Sequence, residues 1–80
     1  MLLKLNTGKK TVGAKQVKRA LNSHEVEAVF IAMDAEKKVT DEIIQICKDK
    51  HVEVFQVENM KKLGDACGIN VNAATAALLK

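Results

Sequence analysis

Residues 26–33 read VEAVFIAM and end in six consecutive apolar residues. A polar cluster at 22–25 precedes the run, and Asp34 follows it. This pattern predicts a strand buried on both faces, as in the middle of a parallel sheet. Its neighbours fit that setting. Residues 39–50, VTDEIIQICKDK, predict a helix with Thr40 as N-cap and Asp41 and Glu42 in the first turn. Ile43, Ile44, Ile46 and Cys47 form its apolar face, and Lys48 and Lys50 close the last turn. Residues 51–57, HVEVFQV, are rich in Val and Phe and read as a second strand.

Further out, residues 59–68, NMKKLGDACG, predict a helix capped by Asn59. Met60, Leu63 and Cys67 face inward on it. Gly68 stops it in the left-handed conformation, with Ile69 packing back behind. The alanines of AATAALL at 73–79 favour helix by propensity, but the order of elements makes this segment a strand. Towards the N-terminus, TVGAKQVKRAL at 11–21 reads as a strand end, a glycine turn and a helix. A short strand is expected at 10–12 and a short helix at 2–7. Alternation of this kind implies an α/β layered domain whose small, mostly parallel sheet is covered on both faces.

The 80 residues are enough for one domain with a thin core. The apolar fraction of 48% is too high for disorder. Thirteen bases against ten acids give a net charge of +3, a bias compatible with nucleic acid but no proof of it. Cys47 and Cys67 form no CxxC pair and fall in apolar helical patterns, so two reduced core thiols are expected. No signal peptide and no apolar run long enough for a membrane span is present, and a cytoplasmic protein is expected.

No nucleophile, base and orienting group occur in a pattern that would support an enzyme. His24 and His51 fall at segment edges and read as surface residues. There is no HExxH, P-loop or GxGxxG motif. No cofactor and no metal are expected. Tyr and Trp are absent, and Phe30 and Phe55 lie within strands. Nothing is therefore left for stacking single-stranded bases. A nucleic-acid partner would have to be a folded, groove-bearing one.

The lysines carry the remaining signal. Lys15, Lys18 and Arg19 follow Gly13, with no acid between residues 11 and 21. Lys61 and Lys62 open another helix, and Lys9, Lys10, Lys37 and Lys38 lie in connecting segments. Bases at a helix start cost roughly 0.3–1 kcal/mol each when exposed. In a layered α/β fold, helix starts gather on one edge of the sheet and attract phosphate there. The helix expected at Thr40 is the contrast, with acids first and bases last.

Four pieces of the chain carry a resemblance: GAKQVKRAL, VFIAMD, ENMKKLGDACGI and INVNAA. Together they resemble the kink-turn RNA-binding family of ribosomal proteins, the "L-seven-Ae" family, and especially its small bacterial paralogues. The likeness runs from about Thr11 to Leu79. It implies a three-layer α/β/α sandwich with a small, mostly parallel (mixed) sheet, and residues 1–80 as a single kink-turn RNA-binding domain. It also implies a non-enzymatic protein that stabilises kink-turns, motifs of tandem sheared G·A pairs beside a bulge.

Family helices often open Gly-x-Asn-Glu, followed by a base, and enter the major groove at the G·A pairs. Here Gly13, Ala14, Lys15 and Gln16 hold those positions, with Lys18 and Arg19 behind them. Asp34 matches the family's acid after the central strand, and Lys38 and Lys62 are expected on phosphate. The family's second contact, a loop over unstacked bulge nucleotides, maps to Ile69, Asn70, Val71, Asn72 and Ala73. The implied partner is structured RNA, such as ribosomal RNA or a riboswitch-like RNA, bound by a monomer. A protein-interaction module on the same fold is the competing reading.

Overall fold

A computed structural model describes residues 9–69 and 71–80. The helix expected at 2–7 and the site residue Asn70 lie outside the described residues. The elements follow in the order β1 (Lys10–Val12), α1 (Ala14–Asn22), β2 (Val26–Ala32), α2 (Lys37–Lys50), β3 (Glu53–Val57), α3 (Met60–Ala66) and β4 (Thr75–Leu79).

The apolar run quoted above becomes β2, an inner strand of a four-stranded sheet ordered β1-β4-β2-β3. Its side chains alternate between two layers. Val29 and Ile31 pack with Val17 and Leu21 of α1, Ile43 and Cys47 of α2, and Ala77 of β4. Phe30 and Ala32 point the other way, among Leu63 of α3, Cys67, Ala73 and Leu78. Burial on both faces explains why the run shows no polar alternation. The Phe30 and Phe55 rings tilt against each other with centroids 5.4 Å apart, so neither is offered as a stacking platform.

The three layers are those expected, and the sheet is mixed. Its pairing corrects the "mostly parallel" part of the expectation. β1, β2 and β3 run in one direction, yet only β2 and β3 pair in parallel. β4 lies between β1 and β2 and is antiparallel to both. The alanine-rich segment is therefore a central strand. Ala76 and Ala77 are fully buried, and their helix propensity yields to packing. Thr75, also fully buried, donates its hydroxyl to the Phe30 carbonyl at 2.8 Å.

Both cysteines are buried and free, Cys47 in one layer and Cys67 in the other. Burial pushes the Cys47 thiol up to about 11 and raises Cys67 as well, although Lys10 pulls the latter down. Both therefore sit as neutral apolar side chains. No helix among the described residues is long and apolar enough to cross a membrane.

Two boundaries differ from expectation. Thr40 is not the cap of α2; the helix begins at Lys37, and the Thr40 hydroxyl donates back to the Lys37 carbonyl at 3.1 Å. His51 does not start β3. It takes a left-handed conformation (φ 57°) that ends α2, and the Val52 amide donates to the Cys47 carbonyl at 2.9 Å.

Candidate nucleic-acid interface

Because β1, β2 and β3 share a direction, their C-terminal ends lie on one edge, and each is followed by a helix start. β4 begins at that same edge. Gly13 makes the first turn there, with φ 104° and ψ 146°, a conformation that side chains resist. Its N–H donates to the Thr75 carbonyl at 3.0 Å, and its own carbonyl accepts the Val17 N–H at 2.9 Å. The start of α1 is thereby fixed against the start of β4. Lys15 and Gln16 are exposed and Ala14 is half-buried. The Gln16 Oε1 lies back over the turn, 2.9 Å from where a Gly13 Cβ would stand.

The third helix is set at the same edge. Asn59 caps it as expected, its Oδ1 accepting the Lys62 N–H at 2.8 Å. Gly68 is left-handed (φ 76°) and donates its N–H to the Asp65 carbonyl, while the Ile69 N–H donates to the Gly64 carbonyl. These two bonds end the helix in a Schellman motif, with Ile69 packed on the core behind it. The loop from Ile69 to β4 then passes directly over α3. A Cβ on Gly64 would stand 2.0 Å from the Val71 carbonyl oxygen. Only glycine permits that approach. Val71 is left 66% exposed and Asn72 is exposed, while Ala73 turns inward and is buried.

The charges on this edge sharpen and correct the reading from sequence. With α2 starting at Lys37, Lys37 and Lys38 fall in its first turn, so the contrast drawn from Thr40 disappears. Glu36 stands at the N-cap position without a side-chain cap bond. Among the described residues, none of the three helices has an acid in its first turn. In the nine-residue α1, however, only Lys15 lies at the opening; Arg19 lies in the last turn, where the dipole favours it.

Two of the lysines expected at the RNA carry partners. Lys18 Nζ meets Glu42 Oε2 of α2 at 2.6 Å, and Lys62 bridges to Glu58. These lysines hold both carboxyls below their ordinary range, first by hydrogen bond and then by charge. Lys15, Lys37, Lys38 and Lys61 are exposed on the edge.

Asp34 is exposed, but its carboxylate is engaged: Oδ1 accepts the Met60 N–H at 2.8 Å. Met33, read from sequence with the buried run, stands outside the strand and is 65% exposed. Lys37 and Lys38, expected in a connecting segment, lie on a helix. Thr40, with the composition of a cap, hid the earlier start of α2; the exposure of Met33 had no signal in the apolar run itself. Along the outer face of α1, Ala14, Lys15, Lys18, Arg19, Asn22 and Ser23 line an open depression of about 590 Å³. Its breadth and polar rim suit a groove-shaped partner better than an enclosed small molecule.

The profile of the ribosomal protein L7Ae/L30e/S12e/Gadd45 family matches residues 2–80. An RNA-binding protein of Caldanaerobacter subterraneus is 45% identical over 69 residues, covering 86% of this chain and 84% of its own. An RNA-binding protein of Halalkalibacterium halodurans is 46% identical, with the same coverage. Among solved structures, the Giardia lamblia 15.5 kD RNA-binding protein superposes with a TM-score of 0.92 at 26% identity, covering 99% of this chain and 70% of its own.

Proposed function

The chain belongs to the ribosomal protein L7Ae/L30e/S12e/Gadd45 family, and on that premise we propose that it binds structured RNA at kink-turns through the edge just described. The observation that carries this reading is the juxtaposition of two unlike surfaces. The Gly13–Thr75 bond sets the cationic, hydrogen-bonding start of α1 beside the foot of β4. The loop leading into β4 offers an exposed Val71 and no charge. A kink-turn offers two unlike features at one bend: a helical arm with G·A pairs and a bulge with unstacked nucleotides.

Each surface has work suited to its chemistry. Lys15 donates to guanine O6 and N7, and Gln16 donates and accepts at a base edge. Lys38 and Lys61 stand nearest in kind to phosphate ligands, with Lys62 available once its bridge to Glu58 opens. The loop covers unstacked bases with Val71 while the backbone beneath stays close to α3. Such an edge binds the kinked form more tightly than the extended one and draws the population towards the kink.

The test is a FRET-labelled RNA duplex with a kink-turn, set beside one whose G·A pairs are made Watson–Crick. In the absence of magnesium, the protein should drive only the first to high transfer. Equal affinity for the two would sink the reading and favour an acidic protein partner for the same edge.

A further inference from the structure

The loop over α3 is held at two points two residues apart. At Val71 the carbonyl oxygen rests on Gly64, where a Cβ would be 2.0 Å away. At Ala73 the N–H donates to the Met60 carbonyl at 3.1 Å. Met60 is itself held from the far side, because its N–H donates to Asp34 Oδ1 at 2.8 Å. A carboxylate in the turn after β2, the first residue of α3 and the loop thus form one chain of hydrogen bonds. α3 has only seven residues, and its first turn is held both by its own Asn59 cap and, from outside, by Asp34.

We propose that Asp34 is a positioning residue for RNA recognition: through Met60 it sets the height of the loop that presents Val71, without itself touching RNA. This rests on the kink-turn reading above. The charge of Asp34 opposes binding, since a carboxylate beside phosphates repels them. Its geometry favours binding, since the acceptor oxygen keeps α3 and the loop together. The two effects separate on substitution. Asp34→Asn keeps an acceptor oxygen and removes the charge. Asp34→Ala removes both.

The experiment measures both variants against the unmodified protein in two ways. In free protein, amide exchange of Ala73 should accelerate about tenfold in Asp34→Ala and stay near its original rate in Asp34→Asn. On a bulged kink-turn, Asp34→Ala should bind about tenfold more weakly, the scale of one lost hydrogen bond to a charged group. On the same RNA with the bulge shortened, that loss should largely vanish. Asp34→Asn should bind as tightly as the original or tighter.

If Asp34→Asn loses as much affinity as Asp34→Ala while Ala73 stays protected, the carboxylate contacts RNA directly and the proposal is overturned. Unchanged Ala73 exchange in Asp34→Ala overturns it as well. If the unmodified protein does not distinguish kinked from paired duplexes, the kink-turn reading fails instead. The exchange result then still decides whether Asp34 holds the loop.

Discussion

The two ends of the sandwich carry the same kind of charge under opposite electrostatics. At one end, Lys48 and Lys50 sit in the last turn of α2, where the partial negative charge of the helix terminus welcomes them. At the other, Lys15, Lys37, Lys38 and Lys61 stand in first turns without an acid among them. The first group stabilises the folded chain. The second opposes it, and is compensated when an anion arrives. The backbones differ in the same sense. The first end closes with left-handed His24 and His51, both exposed. The second is cross-tied at Gly13, Asp34 and Gly64. Charge that does not serve the fold, mounted on a backbone that is tightly fixed, is what a recognition surface requires.

The hardest blow to this contrast falls on the fixed backbone. Gly64→Ala places a methyl group on the Val71 carbonyl, which cannot give way as a flexible side chain would. Urea unfolding should show a loss at or above the roughly 1–3 kcal/mol usual for overpacking. In protein confirmed folded, affinity for a bulged kink-turn should fall more than affinity for one with a shortened bulge.

A matched pair of lysines tests the charges. Lys15→Ala should weaken kink-turn binding by about 1–3 kcal/mol if Lys15 contacts a base edge. Lys48→Ala, at the far end, should change it by no more than about 0.5 kcal/mol. Equal losses would mean that net charge, and not the edge, drives binding.

Charge reversal in free protein reads the dipole directly. Lys37→Glu should raise stability by roughly 0.3–1 kcal/mol at low salt, and Lys48→Glu should lower it by a similar amount. Both effects should shrink as salt is added. The same sign for both would remove the contrast.

The smallest effect is one of pH. Lys18 holds the Glu42 carboxyl below its ordinary 4.5. The bridge therefore contributes fully above that value and is lost as pH falls through the lower folded-state value. Lys18 is partly exposed and Glu42 largely so, so the contribution is slight. The difference in melting temperature between the original protein and Glu42→Gln should narrow between about pH 6 and about pH 3. A gap that widens on acidification would contradict the assignment.

Much of the layering was legible because β2 is a local signal: six apolar residues in a row have few other homes. The Asn59 cap and the Gly68 stop were legible for the same reason, since each acts within a few residues. What escaped was decided at a distance. Thr40 has the composition of a cap, but its hydroxyl was taken by a carbonyl of a turn already formed, and that shift hid the cations of α2. The direction of β4 depends on pairing with β1 and β2, which no window of AATAALL contains. The resemblance marked Gly64 as part of a pattern, yet its reason is the Val71 backbone seven residues on. Asp34 follows the central strand, as its match to the family pattern implies, but its bond to Met60 spans 26 positions and no local window contains it.

The place of β4 also orders events during synthesis. β2, α2 and β3 form a contiguous unit that can assemble as soon as it is made. β1, although made first, has no partner in the sheet until β4 appears, and the inner edge of β2 stays unpaired for as long. Translation must therefore run through Leu79 before the centre of the sheet can close. Until then the nascent chain carries an open strand edge, the kind of surface on which chains adhere to one another. A message cut short within the codons for residues 75–79 would leave that edge permanently open.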